Sequence, residues 1–115
     1  RNLSYSYRFE TPDKVIVLTG DTGPSEELKK FAAGADILVS EGGGASAQPN
    51  PAVPNATGLR RDRHMTATDV GRLASEAKVG MVVMSHGSVQ GAAMDELRRY
   101  YAGRVVNGRD LDVIF

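Results

Sequence analysis

Val15-Ile16-Val17-Leu18-Thr19-Gly20-Asp21-Thr22-Gly23-Pro24-Ser25-Glu26-Glu27-Leu28-Lys29-Lys30-Phe31-Ala32-Ala33-Gly34-Ala35-Asp36-Ile37-Leu38-Val39-Ser40-Glu41 decides the fold. The unbroken apolar run Val15 to Leu18 reads as a strand buried on both faces. A polar, glycine-flanked turn follows. Pro24 then sits where a first helical residue belongs, Glu26 and Glu27 favour the positive end of a helix, and Lys29 and Lys30 come later. Leu28, Phe31, Ala32 and Ala35 continue at helical spacing, Gly34 is placed to end the helix, and Ile37 to Val39 is a second apolar strand. Strand, helix and strand in succession predict a parallel α/β unit.

Working outward, Leu3, Tyr5, Tyr7 and Phe9 alternate with Ser4, Ser6, Arg8 and Glu10, the period of a half-buried strand. Thr11-Pro12-Asp13-Lys14 supplies turn chemistry, so this strand should form a hairpin with Val15 to Leu18. Downstream, residues 42–63 are rich in Gly, Pro, Asn and Ala without a sustained period, which predicts a long flexible loop or lid. Thr66 is placed to cap a helix, with Asp69 as its capping-box partner and Val70, Leu73, Ala74 and Ala77 as the apolar stripe. That helix should stop near Gly80. Met81 to Met84 reads as a buried strand and Ala92 to Tyr101 as a helix with Met94, Leu97 and Tyr101 inward. Val105 to Phe115 reads as two short strands turning at Asn107-Gly108. No internal repeat is visible.

The chain has 115 residues with 14 basic and 14 acidic side chains and no Cys or Trp, enough for one domain or a piece of one. Zero net charge removes the usual footprint of a duplex-binding protein, although a local basic patch stays open. Without Cys there are no disulfides, no thiolate metal sites and no Cys nucleophile, so a metal must be held by His, Asp or Glu. No apolar run approaches the roughly 18 residues of a spanning helix, and no signal peptide is legible, so a cytoplasmic location without membrane contact is expected. The chain starts without Met and directly in a strand pattern, which raises the expectation of an upstream portion.

Asp21 follows one buried strand and His86 another. Ligands of open α/β sheets bind beyond the carboxyl ends of parallel strands, so this carboxylate and imidazole could share a metal there. Equally, Asp21 could cap a turn and His86 could be a satisfied loop histidine. Asp21-Thr22-Gly23 is also the local signature of aspartic proteases, but those are nearly all β and Pro24 to Ala33 reads as helix. A phosphate-cradling turn is a further reading, weakened by the absence of a Gly-Lys-Ser/Thr ending. His64, just before a helix start, could donate a proton or simply face solvent. Glu41 could line the same edge or begin the loop. Arg60, Arg61 and Arg63 could hold an anion or be solvated.

The order of these motifs resembles the carboxyl-terminal half of a metallo-β-lactamase-fold hydrolase, in the ribonuclease Z-like and arylsulfatase-like branch. The matching pieces are Tyr7-Arg8-Phe9-Glu10-Thr11-Pro12-Asp13, Thr19-Gly20-Asp21-Thr22-Gly23-Pro24-Ser25, Ala35-Asp36-Ile37-Leu38-Val39-Ser40-Glu41, His64-Met65-Thr66 leading into Val70-Gly71, Ser85-His86, and Gly108-Arg109-Asp110-Leu111. Each is short, but their order and spacing are specific and span nearly the whole chain. The resemblance implies half of an αββα sandwich. It implies Asp21 as the carboxylate bridging two metal ions, usually zinc, His86 as a terminal ligand of one, and His64 as the helper histidine that protonates a leaving oxygen. Metal-activated water would then hydrolyse an ester such as a phosphodiester, sulfate ester or lactone.

The family's His-x-His-x-Asp-His motif, which supplies most of the ligands, is absent, and the chain holds two histidines in all. A dinuclear site needs roughly four ligands per metal, water included. The resemblance therefore implies an amino-terminal half, on the same precursor or another chain, as partner, with self-association possible. The substrate would be a small-molecule or nucleic-acid ester. The alternative is a non-catalytic interaction or structural chain that retains the fold without a complete metal site.

Overall fold

Pro12 and Asp13 turn the chain between β1 (Tyr7–Glu10) and β2 (Val15–Leu18), and the Thr11 hydroxyl closes the turn by donating to the Lys14 carbonyl at 2.9 Å while accepting the Lys14 N–H at 3.0 Å. The expected hairpin forms, with Tyr7 opposite Leu18 and Phe9 opposite Ile16. In this computed structural model residues 5–20, 23–42, 65–85 and 89–109 are described. The remaining elements are α1 (Glu26–Ala32), β3 (Ile37–Ser40), α2 (Ala67–Glu76), β4 (Met81–Met84), α3 (Gly91–Arg98) and β5 (Arg104–Asn107). The sheet order is β1-β2-β3-β4-β5, with β2 to β5 mutually parallel.

Every crossover steps to the next strand in the same direction. Right-handed connections of that kind put all three helices on one face of the sheet. The buried cluster agrees. Val17, Leu38 and Val82 lie in register across the sheet and are buried with Leu28, Ala32, Val70, Leu73, Ala74 and Leu97 from the helices. The opposite face carries two apolar rows, Phe9-Ile16-Ile37-Met81 and Tyr7-Leu18-Val39-Val83-Val106. No described helix lies over it, and Tyr7 and Phe9 are 57% and 53% exposed. Consequently β2 is not buried on both faces as its composition suggests: Val17 is buried and Val15, Ile16 and Leu18 only half so.

The helix ends show which local signals win. Ser25 caps α1, because its hydroxyl accepts the Leu28 N–H at 3.0 Å, and Pro24 lies outside the helix, two positions before its first residue Glu26. Gly34 ends the helical segment with φ +73°, and the Arg8 guanidinium donates to the Phe31 and Ala33 carbonyls there at 2.8 and 3.2 Å. Both arms of the Thr66–Asp69 capping box form at α2. Lys78 (φ +57°), rather than Gly80, takes the left-handed position after α2, and Val79 N–H returns to the Ala74 carbonyl as in a Schellman motif. Gly80 serves a different need: a Cβ there would stand 2.9 Å from the Asp36 carbonyl oxygen. α3 stops at Arg98, yet Tyr101 is still buried, its hydroxyl donating to the Val79 carbonyl at 3.0 Å.

The turn expected at Asn107-Gly108 does not form. Neither residue has the positive φ of such a turn, and Gly108 N–H bonds the Met84 carbonyl at 2.9 Å, continuing the β4–β5 ladder. The second strand expected toward Phe115 lies outside the described residues, as do positions 43–63 of the expected loop. No helix among the described residues is long and apolar enough to cross a membrane.

Candidate functional site

The parallel arrangement assumed for Asp21 and His86 is present. β2, β3 and β4 run side by side in the same direction, so their carboxyl ends open on one edge of the sheet. Asp21, His64 and His86 themselves lie outside the described residues; the chain is described up to Gly20, from Met65 onward and up to Ser85.

At the end of β2, Thr19 is fully buried and extends the ladder by donating its N–H to the Val39 carbonyl at 3.0 Å. Its hydroxyl donates to the Gly20 carbonyl at 2.9 Å and accepts the Glu41 N–H at 3.4 Å, while Ser6 Oγ donates to its carbonyl at 2.8 Å. Gly20 has φ +64°, and a Cβ there would meet the Tyr5 carbonyl oxygen at 2.6 Å, so only glycine makes this turn toward position 21. At the end of β4, Ser85 N–H donates to the Ser40 carbonyl at 2.8 Å, which fixes the chain one residue before His86. With β3 between them, β2 and β4 stand about 10 Å apart at this edge.

β3 contributes the residue whose role the sequence left open. Glu41 is 3% exposed and its Oε1 accepts the Met65 N–H at 3.1 Å. It therefore lines the edge and also ties the end of β3 to the chain immediately after His64. Gly42 (φ +83°) lies against the Met65 carbonyl so closely that no Cβ fits. Met65 is buried, and the Thr66 capping box fixes the start of α2 behind it. Three segments, leading to positions 21, 64 and 86, thus meet at one edge through described contacts. No sequence signal distinguished Glu41 as an anchor from Glu41 as a loop residue, because its partner is a backbone amide 24 positions away.

A carboxylate and an imidazole are suitable zinc donors. Among the described residues no group of three or more His, Asp or Glu stands ready to hold a metal, and the whole chain has two histidines and no Cys. One carboxylate and one imidazole would leave a zinc shell short of ligands. Behind the edge, a groove of about 450 Å³ runs between α1 and α2, lined by Pro24, Lys29, Met65 and Arg72 among others. Lys29 there is paired with Glu26 at 2.7 Å and Glu76 at 3.4 Å. The hydrogen bond from Lys29 and its charge hold the Glu26 carboxyl below the ordinary range.

No family model matches the chain. It is 36% identical over 75 residues to the ribonuclease Z of Shouchella clausii, covering 65% of this chain and 22% of that protein. With the ribonuclease Z of an Exiguobacterium strain it shares 32% over 85 residues, 74% of this chain and 26% of the relative. The chain thus spans about a quarter of the length of these relatives. Among solved structures it superposes on the metallo-β-lactamase fold protein YhfI of Bacillus subtilis with a TM-score of 0.69 and 25% identity, over 89% of this chain and 40% of that one. The five-stranded sheet with its three helices has the metallo-β-lactamase fold, aligned to part of the larger protein, and the chain is ribonuclease Z-like in sequence.

Proposed function

We propose that this ribonuclease Z-like chain is the carboxyl-terminal half of a metal-dependent hydrolase that cleaves an ester, with an RNA phosphodiester favoured by the relatives' names over a sulfate ester or lactone. The observation that carries the reading is the edge itself, where parallel β2 and β4 deliver the segments of Asp21 and His86 on either side of β3. Asp21 would bridge two zinc ions and His86 would bind one of them. When bound, the ions would polarise the scissile group and activate water. The other ligands would come from an amino-terminal half that packs on the exposed Tyr7 and Phe9 and the half-buried Ile16, Leu18, Ile37 and Val39 beside them. Burying that face is the physical reason for two such halves to associate.

The chain's own residues orient and deliver a proton. Glu41 holds the Met65 amide and so sets the position of His64, the candidate acid for the leaving oxygen. The presence of only two histidines favours a second reading, a non-catalytic chain that keeps the fold for interaction. The two separate in one experiment on the completed fold, with metal content measured after dialysis and hydrolysis of bis-p-nitrophenyl phosphate followed. Asp21→Ala should lose metal more severely than His86→Ala, since a bridging group serves both ions. Tight metal retention by the Asp21 variant would reject the assignment, and absence of metal from the unsubstituted protein would support the non-catalytic chain.

A further inference from the structure

α2 and α3 run side by side in the same direction. The Thr68 hydroxyl donates to Glu96 Oε2 at 3.4 Å, a Cβ on Gly71 would meet the Leu97 carbonyl oxygen at 2.7 Å, and the Arg72 guanidinium stands 5.0 Å from the centroid of the Tyr100 ring. A ring holds a guanidinium in place without neutralising it, as a carboxylate would. Arg99 is exposed next to Tyr100, which itself stays 40% exposed with Arg72 over it. From Arg98 to Arg104 the chain reads Arg-Arg-Tyr-Tyr-Ala-Gly-Arg, without an acidic residue.

Basic residues are favoured at the carboxyl end of a helix, and Arg98 serves there, its guanidinium donating to the Gly103 carbonyl. That preference does not account for Arg72 in the middle of α2, nor for an aromatic ring left exposed beside two arginines. Neither Arg72 nor Arg99 pairs with a described carboxylate. Nearby acids are engaged elsewhere: Asp69 in the Thr66 cap, Glu76 with Lys29, Glu96 with Thr68. Asp95, exposed one turn before Arg99, is the opposing charge. Arg72 lies six positions past the Thr66 cap, about 9 Å along the helix from the candidate edge. A polynucleotide bound at that edge spans this distance, whereas an ester of one phosphate with small leaving groups does not.

We propose that Arg72, Arg99 and Tyr100 form a contact surface for single-stranded RNA along the seam between α2 and α3, with the arginines on phosphates and the Tyr100 ring against a base. Cations that track a backbone beside an aromatic ring are what a single strand uses, since every base has a face to stack. A duplex keeps its bases stacked on one another and leaves the ring without a partner. The choice of RNA among polyanions rests on the ribonuclease Z-like reading.

The test uses the chain together with the half that completes the fold, a fluorescein-labelled oligouridine followed by anisotropy as salt is raised, and turnover of bis-p-nitrophenyl phosphate. Arg72→Gln and Arg99→Gln should each weaken oligouridine binding and flatten the slope of log affinity against log salt by about 0.7, and the double variant by about 1.4. Tyr100→Leu should weaken binding about fivefold with little change in slope. Asp95→Asn should strengthen it. Turnover of the small ester should stay at the unsubstituted rate throughout; if it falls together with RNA binding, these residues support the fold and the proposal is overturned. Lys14→Gln removes the same charge in the β1–β2 turn and should leave the slope unchanged, and an equal loss there reduces the effect to net charge and overturns the proposal. Displacement of the oligouridine by poly-glutamate as readily as by unlabelled RNA would make this a surface for an acidic protein and overturn it too. Unchanged slopes in both arginine variants with ester turnover intact overturn the surface and spare the proposed function. Arginine-dependent binding without ester turnover sustains the surface and removes the catalytic reading.

Discussion

Thr66 starts α2 two residues after His64, and its replacement by Ala probes how the proposed acid is supported. Thr66 Oγ1 accepts the Asp69 N–H at 3.2 Å, and Asp69 Oδ2 accepts the Thr66 N–H at 3.0 Å. Loss of an N-cap hydroxyl costs about 0.5–2 kcal/mol. The upper half of that range is expected, because Ala67 and Val70 in the same turn are fully buried and fraying would expose them with the amide. A loss of about 1–2 kcal/mol lowers Tm by roughly 4–8 °C in a unit of this size. Asp69→Ala removes the reciprocal bond and a negative charge at the helix start, about 1 kcal/mol in all. Each arm holds the geometry the other needs, so the double variant should cost less than the two losses added, by a few tenths of a kcal/mol or more. Thermal and urea unfolding followed by circular dichroism measure all three, with Thr66→Ser as the control that keeps the hydroxyl. The reasoning fails if Thr66→Ala unfolds with the wild type, or if Thr66→Ser is as damaging as Thr66→Ala.

Burial raises the Tyr101 phenol above its ordinary pKa of 10.0, against a smaller opposing effect of Arg98. Its contribution to stability is therefore complete below pH 10 and declines as pH rises through the folded value; Tyr101→Phe should be less stable by about 1 kcal/mol near neutrality and lose less between pH 9 and 11. The isolated chain, with Tyr7 and Phe9 exposed at the edge of its apolar sheet face, should self-associate, and Phe9→Lys should reduce this in light scattering across a concentration series; monomeric behaviour of the unsubstituted chain at high concentration would count against a missing half. In the completed fold, His64→Ala should keep its metal and slow hydrolysis by on the order of a hundredfold to ten-thousandfold for poor leaving groups, with a much smaller effect for nitrophenolates. Loss of metal would make His64 a ligand, and equal slowing of both substrates would make it a residue that positions substrate.

Much of the architecture follows from short-range pattern. Val15 to Leu18, Ile37 to Val39 and Met81 to Met84 are strands because β-rich apolar runs leave no polar face for a helix, and α1 and α2 begin where Ser25 and Thr66 can accept an amide three residues on. These signals act within one turn or one strand, so they survive in a linear reading. The candidate edge was legible to the same extent: Asp21 and His86 each follow an apolar run, and parallel pairing of those runs is enough to bring their segments to one side.

What the tertiary structure alone decided are the relations between distant backbone groups. That no described helix covers one face of β2 depends on three crossovers of the same hand advancing in one direction, a property of no single strand. Gly80 reads as a helix stop, yet its missing Cβ, like that of Gly71 within α2, admits a carbonyl, of Asp36 and Leu97 respectively, which only packing brings near. Glu41 was open between the edge and a loop, and Asn107 read as a turn residue; one holds the Met65 amide across 24 positions and the other both backbone groups of Val89 across 18. A backbone amide leaves no mark in composition or periodicity, so which side chain satisfies it is settled when the strands come into register.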